Sequence, residues 1–165
     1  IRDRYIDLHV HSNCSDGTFS PEELVVLGIK QELVAFALTD HDTISGVERA
    51  IKKAEEFDNK IQVIPGMELS CKYTISSSQS VEIHMLGYRY DIHNKKLIAT
   101  LEDISNERDE RNRKMCSNLQ NAGFPISYDM LCERFGDTIL TRAHFARLLL
   151  ENGGVPSLDL SLIHI

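Results

Sequence analysis

Leu33-Val-Ala-Phe-Ala-Leu38, leading directly into Thr39-Asp40-His41-Asp42, decides the fold. An unbroken apolar run of this length suits a strand covered on both faces, the condition of a parallel sheet packed between helices. The polar residues that follow are then the exit loop of that strand. Towards the N-terminus, Ser20-Pro21-Glu22-Glu23 is a helix start, with Ser as the cap, Pro in the first turn and Glu at the third helical position. That helix is expected to reach about Gln31. Before it, Asn13 to Ser20 reads as a loop and Tyr5-Ile-Asp-Leu-His-Val10 as a first strand. Towards the C-terminus, Gly46 to Phe57 places Val47, Ala50, Ile51 and Ala54 at helical spacing, and Ile61 to Ile64 reads as a third strand stopped by Pro65-Gly66. The succession β-α-β-α-β implies parallel strands with right-handed crossovers.

Beyond that point the pattern changes. Met67 to Tyr73 and Val81 to Tyr90 suit a hairpin closed by Ser76-Ser77-Ser78-Gln79-Ser80. After Asn94 a long charge-dense helix is expected over 95–122, ending at Gly123, with shorter helices over Tyr128–Phe135 and Thr141–Glu151. Arg108, Arg111 and Arg113 alternate with Glu107, Asp109 and Glu110, as on a solvated helix with i,i+4 pairs. The expected organisation is an α/β part over 1–94, a helical insertion over 95–157 and a non-native tail over 158–165. The closing Leu160-Ser-Leu-Ile-His-Ile165 matches the translation of a transposon-derived sequencing adaptor, so His164 enters no site argument.

The chain has 165 residues and a formal charge of −7, from 18 Lys and Arg against 25 Asp and Glu. Such a balance argues against bulk coating of nucleic acid, while leaving nucleotides or short oligonucleotides open as ligands of a local site. No apolar run has the length of a membrane span, and the N-terminal residues lack a signal-peptide pattern. Cys14, Cys71, Cys116 and Cys132 are scattered without a CxxC pair, so reduced thiols and a cytoplasmic setting are expected.

Metal-capable residues recur where strands end. His9 and His11 are two apart at the end of the first strand, on one face and roughly 7 Å apart at Cα. Asp16 lies in Ser15-Asp16-Gly17, His41 ends the second strand, Glu68 follows the third in Pro65-Gly-Met-Glu-Leu-Ser70, and His84 lies in Glu82-Ile-His-Met-Leu-Gly-Tyr88. Singly, each has a bland reading: a chance His-x-His, an Asp-Gly turn, a helix cap, a strand-end Glu, a buried His. Jointly, they deliver imidazoles and carboxylates to one rim. Imidazoles suit Zn and Fe, carboxylates suit Mn or Mg and can bridge ions, and six donors exceed what one tetrahedral zinc needs. Asp7 and Asp42 are candidates for orienting ligand imidazoles. His93, in a polar turn, is expected to be exposed.

The ordered set Asp7-Leu-His-Val-His-Ser12, Ser15-Asp-Gly17, Thr39-Asp-His-Asp-Thr43 and Pro65-Gly-Met-Glu-Leu-Ser70 resembles the PHP (polymerase and histidinol phosphatase) superfamily. His84-Met-Leu-Gly-Tyr88, the Arg108…Arg111 helix and Thr141-Arg-Ala-His-Phe-Ala-Arg147 resemble its branch of nucleoside 3',5'-bisphosphate phosphatases and 5'-3' exoribonucleases. The resemblance implies the N-terminal part of a distorted (β/α)7 barrel. It also implies two or three divalent ions (Mn, Zn or Fe) held by His9, His11, Asp16, His41, Glu68 and His84, with Glu68 bridging. The implied activity is phosphoester hydrolysis through a metal-bridging hydroxide, on a nucleotide or the end of a short RNA or DNA. Arg142 and His144 would contact a second phosphate; an ordinary helix start explains them equally well. The family also draws on a later histidine and a terminal Asp-x-His, before which this chain stops, so the chain by itself is expected to be inactive. The rival readings are a histidinol-phosphate-type phosphatase, the PHP module of a DNA polymerase, and a scaffold whose ions contribute folding energy only.

Overall fold

The computed structural model describes residues 4–77, 79–136 and 138–157. The expected non-native tail over 158–165 lies outside the described residues. The elements in chain order are β1 (Tyr5–Val10), α1 (Pro21–Lys30), β2 (Leu33–Leu38), α2 (Val47–Glu55), β3 (Gln62–Ser76), β4 (Gln79–Tyr88), α3 (Lys95–Asn121), α4 (Tyr128–Phe135) and α5 (Arg142–Glu151). They form two compact units, one through Leu101 and one from Glu102.

The first unit is built on a four-stranded sheet of order β1-β2-β3-β4. β1 pairs parallel to β2, β2 parallel to β3, and β3 antiparallel to β4. The apolar run expected to form the central strand is β2, and Ala35 to Leu38 are buried. Val34 is 36% exposed, so the two-sided cover applies only to the second half of the strand. The core beneath it gathers Phe36 and Leu38 with Val25 of α1, Val47 and Ala50 of α2, and Ile61. α1 starts as its sequence implies. Ser20 caps the Glu23 N–H, Glu23 answers at the Ser20 N–H, and Pro21 occupies the first turn, where a missing donor costs nothing.

Pro65-Gly66 does not stop the third strand. β3 runs unbroken through it, because there the strand exchanges partners. Residues 62 to 65 pair with β2, and from Gly66 onward the partner is β4. A residue without an N–H fits where one ladder ends. A Cβ at Gly66 would lie 2.7 Å from the Thr39 methyl and 2.8 Å from the Leu38 carbonyl oxygen, so the close approach of β2 needs glycine.

The sheet is strongly curled. β1 and β4 are at opposite ends of the strand order, yet the Tyr88 hydroxyl on β4 donates to the Leu8 carbonyl on β1 at 2.8 Å. The curl brings the carboxyl ends of the parallel strands and the middle of the hairpin over one concavity.

The second unit packs α4 and α5 with the later part of α3 around Leu119, Leu131, Phe145 and Leu149. The charge-dense stretch of α3 is not a solvated face throughout. Arg108 and Asn112 are buried, the Asn112 amide donates to the Leu140 carbonyl at 3.1 Å, and the Arg113 guanidinium stacks 3.9 Å from the Tyr128 ring centre. Among the described residues, no helix is long and apolar enough to cross a membrane.

Candidate metal centre

Glu68, on β3, is buried and stands at the middle of the concavity. Its Oε2 lies 3.0 Å from His9 Nε2, 2.8 Å from His11 Nε2 and 3.7 Å from His41 Nε2. Its Oε1 lies 2.9 Å from His84 Nδ1. Asp16 adds a second carboxylate, with Oδ1 at 2.8 Å from His11 Nδ1 and Oδ2 at 3.4 Å from His41 Nε2. The six side chains singled out in the sequence therefore converge on one place. The sheet explains how. β1 supplies His9 and leads into His11, and the following loop returns Asp16. The end of β2 supplies His41, and a further bridge pairs His41 with Glu68 through Glu68 N–H to Asp40 C=O and Asp42 N–H to Glu68 C=O. β4, antiparallel to β3, carries His84 opposite Ser70. Asp42 makes the turn after His41 with φ 51°, a left-handed conformation that Asp tolerates better than most residues.

The charges are coupled. Burial resists ionisation of Asp16, but hydrogen bonds from His11 and His41 and their positive charge outweigh it and hold the carboxyl well below the usual range. Burial likewise opposes the charge on Glu68, and the hydrogen bond to His9 with the charges of His41, His11 and His9 carries its pKa down. Burial opposes protonation of His11, yet the Asp16 hydrogen bond and the charges of Asp16, Glu68 and Asp40 raise its pKa overall.

Protons alone leave this arrangement unsatisfied. His11 Nε2 and His41 Nδ1 are buried without a hydrogen-bond partner, although His11 Nε2 is 2.8 Å from a carboxylate oxygen. His11 Nε2 and Glu68 Oε2 thus stand as two donor atoms that face a common cation and not each other. At a ligand length of about 2.1 Å, two such atoms stand about 3.0 Å apart at a right angle and about 3.4 Å apart at a tetrahedral angle. The spacings of His11 Nε2 to Glu68 Oε2 (2.8 Å), His41 Nε2 to Asp16 Oδ2 (3.4 Å) and His41 Nε2 to Glu68 Oε2 (3.7 Å) bracket those values. Among the described residues, three overlapping trios bring donor atoms within 4.8 Å of one another: His9, His11 and Glu68; His11, Asp16 and His41; His41, Glu68 and His84. The mixed imidazole and carboxylate set fits Zn, Fe or Mn.

The family model described as PHP domain matches residues 7–151. This chain belongs to the PHP family. Among relatives of the PHP chain, a 5'-3' exoribonuclease of Haemophilus influenzae is 37% identical over 149 residues, covering 90% of this chain and 52% of that one. A 3',5'-nucleoside bisphosphate phosphatase of Chromobacterium violaceum is 33% identical over 152 residues, covering 91% and 50%. A solved structure described as a metal-dependent phosphoesterase, from Bifidobacterium adolescentis, superposes with a TM-score of 0.82 at 27% identity, over 98% of this chain and 55% of that one. The chain thus spans about half the length of the curated relatives it matches. Its curled α/β sheet is part of a PHP barrel.

The remaining singled-out residues of this PHP chain sit as follows. Asp7 Oδ1 accepts from the His9 backbone N–H at 3.1 Å. Asp42 is buried, and its Oδ1 accepts from the Ser70 N–H at 2.8 Å, tying the loop after β2 to β3. Arg142 and His144 belong to the second unit. Arg142 is exposed in the first turn of α5, whereas His144 is buried and its Nδ1 accepts from the Thr141 N–H at 2.9 Å. His144 also packs edge-on against Phe135, with ring centres 4.6 Å apart. His93 is exposed. Ser12, Ser15 and Asp40, which the sequence does not mark as functional, form a buried network beside the centre. The one signal for it was a serine on either side of the metal-capable loop.

Proposed function

We propose that this chain is part of a metal-dependent phosphoester hydrolase acting on a nucleotide or on the phosphorylated end of a short oligonucleotide. In this reading His9, His11, Asp16, His41, Glu68 and His84 would hold two or three divalent ions. The observation that carries it is a single buried carboxylate within 2.8–3.7 Å of four imidazoles. When bound, such ions supply a nucleophile from water at neutral pH and positive charge for a phosphoryl group under attack.

The chain's own residues divide the remaining work. Glu68 and Asp16 neutralise the accumulated positive charge of the centre. The paired backbones of His41 and Glu68 fix the two buried donors relative to each other, so the donor set is organised before anything binds. His9 and His84 have side chains 51% and 41% exposed and form the open side through which a phosphate ester enters. In the second unit, Arg142 offers a guanidinium fork suited to a phosphate that does not react. His144 commits Nδ1 to the Thr141 cap. Residues 95–157 are, in this reading, a helical insertion that carries Arg142 and His144. Free thiols at Cys14, Cys71, Cys116 and Cys132 accord with a reducing, cytoplasmic setting.

The test uses the product of the full reading frame with Mn and a panel of a 3',5'-nucleoside bisphosphate, a 5'-phosphorylated short RNA and histidinol phosphate. Phosphate release from the first two is expected. Glu68→Gln and His41→Ala should each lower it about 100-fold or more, the scale of losing one transition-state charge partner. Unchanged rates in both variants would overturn the hydrolase reading. Hydrolysis of histidinol phosphate alone, indifferent to Arg142→Ala, would replace the substrate class, and bound metal with no hydrolysis of any ester would leave a scaffold.

A further inference from the structure

Asp40 stands next to His41 but contributes no donor to the three trios; its carboxylate is spent on the neighbouring loop. The side chain is 2% exposed. Oδ1 accepts from the Ser12 N–H at 2.7 Å and from the Ser15 hydroxyl at 2.6 Å, and Oδ2 accepts from the Ser12 hydroxyl at 2.6 Å. Those two serines flank the two donors of the loop, since Ser12 follows His11 and Ser15 precedes Asp16. The loop is tightened further by its own backbone. Ser15 and Gly17 N–H groups both donate to the Ser12 carbonyl, at 3.1 and 2.9 Å, and the Cys14 N–H donates to the Ser12 hydroxyl at 3.1 Å. A Cβ on Gly17 would fall 2.6 Å from the His11 carbonyl carbon. A buried carboxylate with three short donors is a rigid anchor, because releasing any donor leaves charge unsatisfied in a water-poor place.

We propose that Asp40 is a positioning residue of the metal centre: through Ser12 and Ser15 it sets the placement of His11 and Asp16, and so the affinity for the ions those two residues hold. The proposal rests on the metal reading above. It concerns the two trios that contain His11, and not the trio of His41, Glu68 and His84, since the three bonds between the Asp40 carboxylate and its serines reach neither His84 nor the Glu68 side chain. Partners that orient ligands without touching the ion commonly change metal affinity about 10- to 100-fold.

The experiment is a titration of the full chain with Co(II), followed by its visible absorption, with thermal melting recorded for every variant. Asp40→Ala removes both acceptor oxygens and all three hydrogen bonds. Asp40→Asn keeps the shape and one acceptor oxygen, and Ser15→Ala removes a single donor. Ions held with His11 should weaken about 10- to 100-fold in Asp40→Ala, less in Asp40→Asn and Ser15→Ala, with an altered ligand-field spectrum, while binding at His41, Glu68 and His84 stays as in the unmodified chain. If Asp40→Ala does not fold, the two milder variants decide the matter. Dissociation constants within twofold of the unmodified chain in the folded variants would overturn the proposal. So would a uniform weakening of every ion in step with the loss of melting temperature, which is what a purely structural anchor would give. Equal Co(II) binding by the unmodified chain and His41→Ala would instead remove the metal reading itself.

Discussion

At the scale of single residues, the centre is a contest between protons and cations for the same atoms. In the metal-free chain, the Asp16 pKa is depressed and the His11 pKa is raised, each chiefly by the other once burial has been overcome. The stability due to Asp16 is present above its unfolded pKa of about 3.9 and fades as pH falls through its lower folded value. The stability due to His11 is complete below its unfolded pKa of about 6.5 and fades as pH rises through its higher folded value. Metal binding has the opposite demand, because an imidazole must be neutral to ligate. Melting curves in chelator should therefore show a lower midpoint at pH 8.5 than at pH 5.5, while the gain on adding Mn grows over the same interval. A metal-induced gain that shrinks with rising pH would contradict this pairing. His9, His11, Asp16, His41 and Glu68 are legible in the sequence because each falls at or just after an expected strand end, whereas His84 falls inside the expected strand over Val81–Tyr90. Asp40 is not legible. A carboxylate between Thr39 and His41 reads as a loop residue or a cap, and only its burial against Ser12 and Ser15 distinguishes it.

At the scale of elements, the local signals that worked were those with a physical partner close in sequence. Ser20, Pro21 and Glu23 specify the start of α1 among themselves, and the apolar run of β2 needs only cover from both sides. Pro65-Gly66 misled because its meaning is non-local: the pair marks where β3 leaves one neighbour for another, which no window of sequence contains. The start of α5 poses a related ambiguity. His144 occupies the third helical position and returns a hydrogen bond to Thr141, the place where Glu or Gln usually closes a capping box. Replacing His144 by Gln keeps an acceptor within reach of the cap, whereas Ala removes it at a cost of about 1 kcal/mol, typical of a lost cap. Denaturant midpoints should therefore rank the unmodified chain and His144→Gln together, above His144→Ala. Phosphatase activity of the full-length product separates the second role. If His144 also touches substrate, both variants lose activity although only one loses stability; if it only caps, the Gln variant stays active.

At the scale of the whole molecule, every proposed donor belongs to the unit that ends at Leu101, and none to the unit from Glu102. A ligand stabilises what it binds by mass action, by about 2.7 kcal/mol at one hundred times its dissociation constant. In a unit of this size that corresponds to a rise in midpoint of roughly 10–20 °C. The gain is confined to a segment unless the two units unfold as one. Hydrogen exchange with and without Mn measures this segment by segment. Slower exchange is expected in the backbones that present the donors, over residues 8–17, 39–42, 66–70 and 82–86, where the N–H groups of Ser12, Asp42 and Glu68 are already bonded inside the centre. Exchange over 102–157 should be unaltered, since its core of Leu119, Leu131, Phe145 and Leu149 is complete without the centre. Equal slowing in both segments would show that the units are one cooperative body and that the ion stabilises the chain as a whole. No slowing near His41 and Glu68 would mean that the imidazoles and carboxylates gathered there bind protons and nothing else.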